Sequence, residues 1–279
     1  TFRSTFTSAI RNPTLLNQYM YYNVGRAILI GNINGYDSLV TVESLRSFAY
    51  TQNPDTLNYF NLAAIQPEKV KSIEVGYRGT IKNKLYIDGS YYYSWYKDFI
   101  GYINGVEMEV SDINTPLVRN VYRIATNSTE SITTQGFSVG VNYYFSNYYA
   151  INGNYSWNRL NQQSEDPIIP AYNTPEHKFN IGISGQNIEI SKLKISGLGF
   201  NINYKWIEGF IFEGSPQFTG EVPTYSLLDV QVNKKLTKLN LTAKIGASNA
   251  LNNKVLQVYG GPYVGRMIYF SLVFDWENK

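Results

Sequence analysis

The sequence predicts an all-β protein, an antiparallel barrel that crosses a membrane. Three observations predict it. Apolar and polar residues alternate with a period of two in about ten separate runs, and successive strand side chains point to opposite faces. The runs are roughly 9 to 14 residues long, where about 5 to 6 is usual in soluble proteins and about 9 to 11 spans a bilayer. The connections between runs alternate strictly between short and long, as in outer-membrane barrels, whose turns are short at one end and loops long at the other.

The elements follow in order. Phe2, Phe6 and Ile10 alternate with Arg3, Thr5, Thr7 and Arg11, and Asn12-Pro13 ends this strand, since proline cannot donate to a ladder. The segment from about Thr14 to Pro67 has mixed polarity and reads as one long outer loop. Ile73, Val75, Tyr77 and Ile81 oppose Ser72, Glu74, Arg78 and Thr80; after a turn at Lys82-Asn83, Leu85, Ile87, Tyr91, Tyr93 and Trp95 resume the pattern. A looser segment from about Tyr102 to Thr134 holds a short extension near Val121 to Ala125.

The clearest hairpin is Gly136 to Trp157. Phe137, Val139, Val141, Tyr143 and Phe145 share one face, and Ser146-Asn147 turns the chain. Tyr149, Ile151, Tyr155 and Trp157 continue that face, against Ala150, Asn152, Asn154 and Ser156. By itself this alternation fits a sandwich core or a lipid-facing surface equally. Later strands centre on Phe179 to Ile183, Leu198 to Trp206, Leu228 to Val232, Leu239 to Ala247 and Ile268 to Trp276, with turns at about Gln186 to Lys192 and Lys234 to Lys238. No stretch reads as a convincing helix.

Composition narrows the function. Tyr 25 and Phe 14 in 279 residues supply rings suited to a surface that is apolar at one end and wet at the other. No run of about 18 apolar residues marks a transmembrane helix. The net charge of +3 is dispersed, which excludes a nucleic-acid protein driven by a basic patch. Cys 0 removes disulfides and thiolate chemistry. The opening TFRSTFTSAIRN carries neither Met nor a signal pattern and reads as a mature chain or a fragment.

With the membrane reading, Val139, Val141, Ile151, Trp157, Phe200, Ile202, Phe270, Leu272 and Phe274 face lipid, and Tyr143, Phe145 and Tyr149 form a girdle at the turn end. Asn152, Asn154, Asn201, Asn203 and Lys205 face the lumen, as wall or ligand path. Phe210, Phe212, Phe218, Tyr259 and Tyr263 in the loops are ligand candidates, with packing at the mouth as the plainer alternative. His177 is the single histidine, beside Glu176; a lone imidazole without a placed partner does not make a catalytic site. No catalytic residue, metal site or cofactor is expected.

Several stretches resemble the C-terminal part of TonB-dependent outer-membrane receptors, particularly of the Bacteroidetes group. They are RNPT (11–14), IQPEKVKSIEVGYRGTI (65–81), YYYSWYKDFIGY (91–102), NTPEHKFNIGIS (173–184), GASNALNNK (246–254) and GGPYVGRMIYFSLVFDW (260–276). The resemblance covers nearly the whole chain. It implies uptake of a scarce siderophore, glycan or peptide across the bacterial outer membrane, powered by the TonB complex acting on an N-terminal part. It further implies a 22-stranded barrel of which residues 1–279 are the last ten strands, without plug or first strands. The long loop at about 12–68 is then extracellular and the short turns periplasmic. Outer-membrane lipid is a partner, and nucleic acid is not. Two alternatives stand beside transport: a receptor-like barrel serving as structural subunit for a surface lipoprotein or larger assembly, and a small barrel enzyme of the omptin type.

Overall fold

The computed structural model describes residues 1–110, 116–161, 168–169, 172–193, 195–214 and 219–275. The chain starts with β1 (Phe2–Arg11), followed by α1 (Leu15–Tyr19), β2 (Tyr21–Asn23), β3 (Ile28–Ile30), β4 (Tyr36–Val40), α2 (Val42–Thr51) and β5 (Tyr59–Leu62). Then come β6 (Glu68–Ile81), β7 (Leu85–Lys97), β8 (Ile100–Val110), β9 (Pro116–Asn127), β10 (Ile132–Tyr144) and β11 (Tyr149–Asn161). After these run β12 (His177–Ile190), β13 (Ile195–Ile207), β14 (Phe210–Phe212), β15 (Gly220–Val222) and β16 (Tyr225–Leu236). The chain closes with β17 (Leu241–Ser248), β18 (Val255–Leu256), β19 (Tyr263–Val264) and β20 (Met267–Phe274).

Ten of these strands form one antiparallel sheet in the order β1-β6-β7-β10-β11-β12-β13-β16-β17-β20. They are the ten runs of the sequence, each paired with the next in chain order. β1 and β20 are its two edges and do not pair with each other, so the sheet is an open arc of wall.

The register makes the two faces explicit. Ile81, Leu85, Tyr143, Ile151, Ile183, Ile202, Val230, Ala247 and Ile268 stand in one row across the sheet. One position along, on the opposite face, run Thr80, Tyr86, Asn142, Asn152, Gly182, Asn203 and Asp229. The apolar face is left uncovered, with Ile151 40% and Phe270 67% exposed; on the polar face Asn154 and Asn201 are exposed as well. Among the described residues of these ten strands, Ile132 is the one hydrophobic residue that is fully buried. A water-soluble sandwich would cover its apolar face; this sheet leaves it bare.

Two turn positions differ from the sequence reading. β12 continues through Ile190 because its register shifts between Gly185 and Ile188 and again between Ile188 and Ile190. Such a bulge breaks the period of two, so Gln186 read as a turn. β16 continues through Leu236 because Lys234 and Lys235 pair with Ala243 and Thr242; consecutive lysines looked like a turn but occupy ladder positions. Trp276, expected to end the last strand, lies outside the described residues.

The long connections are not irregular. β2-β3-β9-β8-β4-β5 make a second, six-stranded sheet, in which β3 and β9 run parallel. The described hydrophobic core lies mostly here. Ile28, Ile30, Leu39 and Ile124 form one cluster, and Val40, Phe48, Leu57 and Val106 another. The expectation of no helix is corrected by α2. Thr41 caps it, its side chain accepting from the Ser44 N–H, and Gln52 ends it with φ 55. Val42, Leu45 and Phe48 face the second cluster, a spacing of three that marks one helical face but is brief in a ten-residue helix. Likewise β8 and β9 replace a loose segment; both carry charged or polar residues at many positions, and their register slips between Glu107 and Met108.

Candidate functional site

All four short turns of the ten-stranded sheet lie at one end, and five long connections lie at the other. The long connections interlock, and this layer is the candidate site. Gln66 donates its N–H to Asn127 Oδ1 at 2.7 Å, and Asn127 Nδ2 donates back to the Gln66 carbonyl at 2.9 Å. Tyr102 and Ile169 exchange backbone hydrogen bonds of 3.1 and 2.7 Å. Asn173 clamps Glu213, accepting its N–H at 2.7 Å and donating to its carbonyl at 3.1 Å. A Cβ on Gly220 would run into the Tyr259 ring. These four contacts join each connection to the next.

Glu68 fixes the layer to the wall. Its carboxylate is nearly buried, takes Arg11 Nη2 at 2.6 Å, and accepts the Ile100 N–H at 3.0 Å. This is the acidic residue of the Pro67-Glu68 lead-in to β6.

The inner face of the wall is polar and ordered. Asn152 and Asn203 flank Gly182, where a Cβ would stand 2.7 Å from Asn152 Oδ1 and 3.1 Å from Asn203 Oδ1. Glycine therefore lets the row close. Asn154 and Lys205 pair with Asn180 from either side, and Asn201 pairs with Ser184 and Gln231. Asp88 takes Arg78 through Nε at 2.8 Å and Nη2 at 2.6 Å, and Arg3 at 3.2 Å.

On the outer face, Val139, Val141, Ile151, Trp157, Phe200, Ile202, Phe270, Leu272 and Phe274 share the apolar side by register. Aromatic rings gather at both ends. Toward the short turns, Phe145 stacks on Tyr149 at 5.8 Å and Tyr149 meets Phe200 at 6.3 Å. Toward the loops, Phe137 meets Trp157 at 5.9 Å and Phe179 stacks on Trp206 at 5.5 Å. A hollow of about 450 Å³ lies on this face, where Gly153 leaves space among Val141, Ile151, Tyr155, Phe179 and Ile181. Its apolar walls gather no side chains for chemistry.

The loop aromatics divide. Phe210 and Phe212 lie on β14, opposite Val222 and Gly220 of β15, and both are half-buried. Tyr259 lies against Gly220 of the same strand pair. Tyr263 is exposed, and Phe218 lies outside the described residues. His177 sits in the apolar row beside Trp157. Its Nδ1 meets the Tyr155 hydroxyl at 2.6 Å, while Glu176 accepts the Trp157 indole N–H at 2.9 Å. The neighbouring acid is thus engaged elsewhere.

Sequence reading missed the polar residues inside the outer layer. Glu107 accepts from Asn120 Nδ2 at 2.9 Å and from the Tyr122 hydroxyl at 2.7 Å. Those hydrogen bonds, Asn120's first, hold its carboxyl below the usual glutamate range. Burial, then the bond to Glu107, pushes Tyr122 up to about 12. Arg123 of β9 is buried, reaches Glu213 at 3.5 Å, and lies 5.0 Å over the Tyr102 ring. Arg123 and Glu213 are 90 positions apart, and neither stands in a recognisable motif, so no sequence signal joined them.

An antiparallel wall with one uncovered apolar face, one polar face and all long connections at one end is the pattern of a membrane β-barrel of the outer-membrane type. The chain belongs to the TonB-dependent receptor-like β-barrel family, whose model matches residues 1–250. Barrels of this family are outer-membrane proteins. A search of curated proteins finds no match. Among solved structures, the copper transporter OprC is similar with a TM-score of 0.62 at 12% identity, over 97% of this chain and 36% of that one. The siderophore receptor PirA from Acinetobacter baumannii gives 0.58 at 16% identity, over 97% and 38%. P. aeruginosa FpvA, in complex with pyoverdine and iron, gives 0.55 at 11% identity, over 97% and 30%. The likeness is one of fold, and the chain spans well under half the length of these three proteins.

Proposed function

We propose that this chain is wall and outer mouth of a TonB-dependent receptor that takes up a scarce solute across the bacterial outer membrane. The carrying observation is the inverted sheet: apolar residues outside, asparagine rows inside, and a mouth of interlocked connections above them. On this reading the apolar row from Ile81 to Ile268 meets outer-membrane lipid, with an aromatic girdle at each interface. Asn152, Asn154, Asn201, Asn203 and Lys205 line the lumen. The five long connections are extracellular, the short turns periplasmic, and Tyr263 is the loop ring best placed for solute. The ten strands are the C-terminal part of a 22-stranded barrel of the Bacteroidetes type, and TonB acts through an N-terminal part. A non-enzymatic role follows on this reading from the receptor-like barrel family that the chain matches, in line with the solved structures named as a copper transporter and a siderophore receptor.

The test is uptake of ferric siderophores, oligosaccharides and peptides by cells with and without the gene, and with and without TonB. At least one solute should accumulate only when both are present. Accumulation that is independent of the gene for every solute, or that survives loss of TonB, contradicts the reading.

One observation favours a partner as well. Leu15, Leu16, Tyr19, Tyr21 and Tyr22 are all more than 60% exposed on the first outer connection, a density of uncovered large apolar side chains of the kind found at protein interfaces. A surface lipoprotein seated there would make the barrel a subunit of a larger outer-membrane assembly. Mild-detergent purification should then retain a lipoprotein that L15E/Y21E variants lose; a chain that purifies alone excludes this partner.

A further inference from the structure

Arg123 is the most deeply buried cation described in the outer layer. Its side chain is 4% exposed, and its Nε, also buried, has no hydrogen-bond partner. Among the described residues its one carboxylate contact runs from Nη2 to Glu213 Oε2 at 3.5 Å, at the outer limit of a hydrogen bond. The guanidinium otherwise rests on the Tyr102 ring, 5.0 Å from its centre. Nε is thus unsatisfied, in a fork built for two-pronged contact with an oxyanion. Buried polar groups are normally paired, and each exception calls for a reason.

The surroundings supply one. Asn104 lies directly opposite Arg123 in the β8–β9 ladder and adds a second polar side chain on the same face. Glu213, the carboxylate that faces Arg123, remains 23% exposed. Glu213 also has another donor, the Thr219 hydroxyl at 3.3 Å, and its backbone stays clamped by Asn173. It can give up Arg123 without leaving its place.

We propose that Arg123 binds an oxyanion, carboxylate or phosphate, on the incoming solute, with Glu213 as the internal carboxylate that the solute displaces. Tyr102 and the β9 backbone hold the guanidinium ready. The proposal rests on the uptake reading for its biological sense, but its test does not use uptake.

The experiment is calorimetric titration of the full-length protein, purified in detergent, with citrate and with inorganic phosphate. The protein should bind at least one saturably. Arg123→Met should weaken binding tenfold or more. Arg123→Lys, which keeps the charge but loses the fork, should weaken it severalfold. Glu213→Gln, which removes the competing charge, should tighten it severalfold. Equal affinity across these variants, or no binding of either anion by wild type and Glu213→Gln alike, overturns the proposal. Failure of the uptake reading would appear separately, as anion binding that persists in a protein whose gene supports no TonB-dependent accumulation.

Discussion

Ile151 stands directly opposite Ile183 in the ten-stranded sheet, and one position along, Asn152 stands opposite Gly182 on the other face. A single step along β11 therefore crosses from the apolar surface of the sheet to the polar one. If the apolar face meets lipid, Ile151→Arg should cost about 2 to 4 kcal/mol near the midplane, and Asn152→Arg far less, within about 1 kcal/mol. Denaturant titration of the full-length protein in lipid vesicles measures both. Equal penalties would show that the faces are misassigned.

Glu68 joins wall and outer layer through Arg11 and the Ile100 N–H. Glu68→Ala leaves that buried N–H without an acceptor and should cost about 1 to 3 kcal/mol. Glu68→Gln keeps an acceptor and should cost less. Faster hydrogen exchange at Ile100 in the alanine variant, with the turn end of the wall unchanged, is the expected signature. Uniform loss of protection along β6 would mean that Glu68 supports the strand itself.

The Glu107 carboxyl, held low by Asn120 and Tyr122, sets an acid limit on the outer sheet. Its proton affinity is lower in the folded state than in the unfolded one. The stability it contributes is therefore full above the ordinary glutamate pKa of about 4.3 and drains away as pH falls below it. Exchange protection of β8 and β9, corrected for intrinsic rates, should decline in that acid range. Glu107→Gln should flatten that decline; an unchanged acid profile in the variant contradicts the assignment.

The wall was legible because its physics is local. A period of two is written residue by residue, and all ten strands appear where the alternation of Phe6, Ile73, Val139 or Ile202 places them. It failed at Gly185, where a bulge shifts the register of Ile188 and Ile190. The outer layer was illegible for the opposite reason. Its parallel β3–β9 pair joins Ile28 to Tyr122, and its mouth rests on Arg123 with Glu213 and on Asn173 with Glu213. Those pairings depend on which segments the wall brings to one end, and nothing near either partner announces the other. Phe210 and Phe212 stood out as aromatic residues in a loop, but nothing in the sequence showed that they form a strand, β14, paired with β15.

The absence of cysteine allows the most direct test of the central claim, that the apolar face of this sheet meets lipid. Single cysteines placed in turn from Ile151 to Trp157, spin-labelled in the full-length protein in bilayers, report collision with lipid-soluble oxygen and with a water-soluble nickel chelate. Residues 151, 153, 155 and 157 should favour oxygen, and 152, 154 and 156 the chelate, with a period of two. A strand accessible to the chelate at every position, or with the opposite phase, would contradict the membrane wall described above.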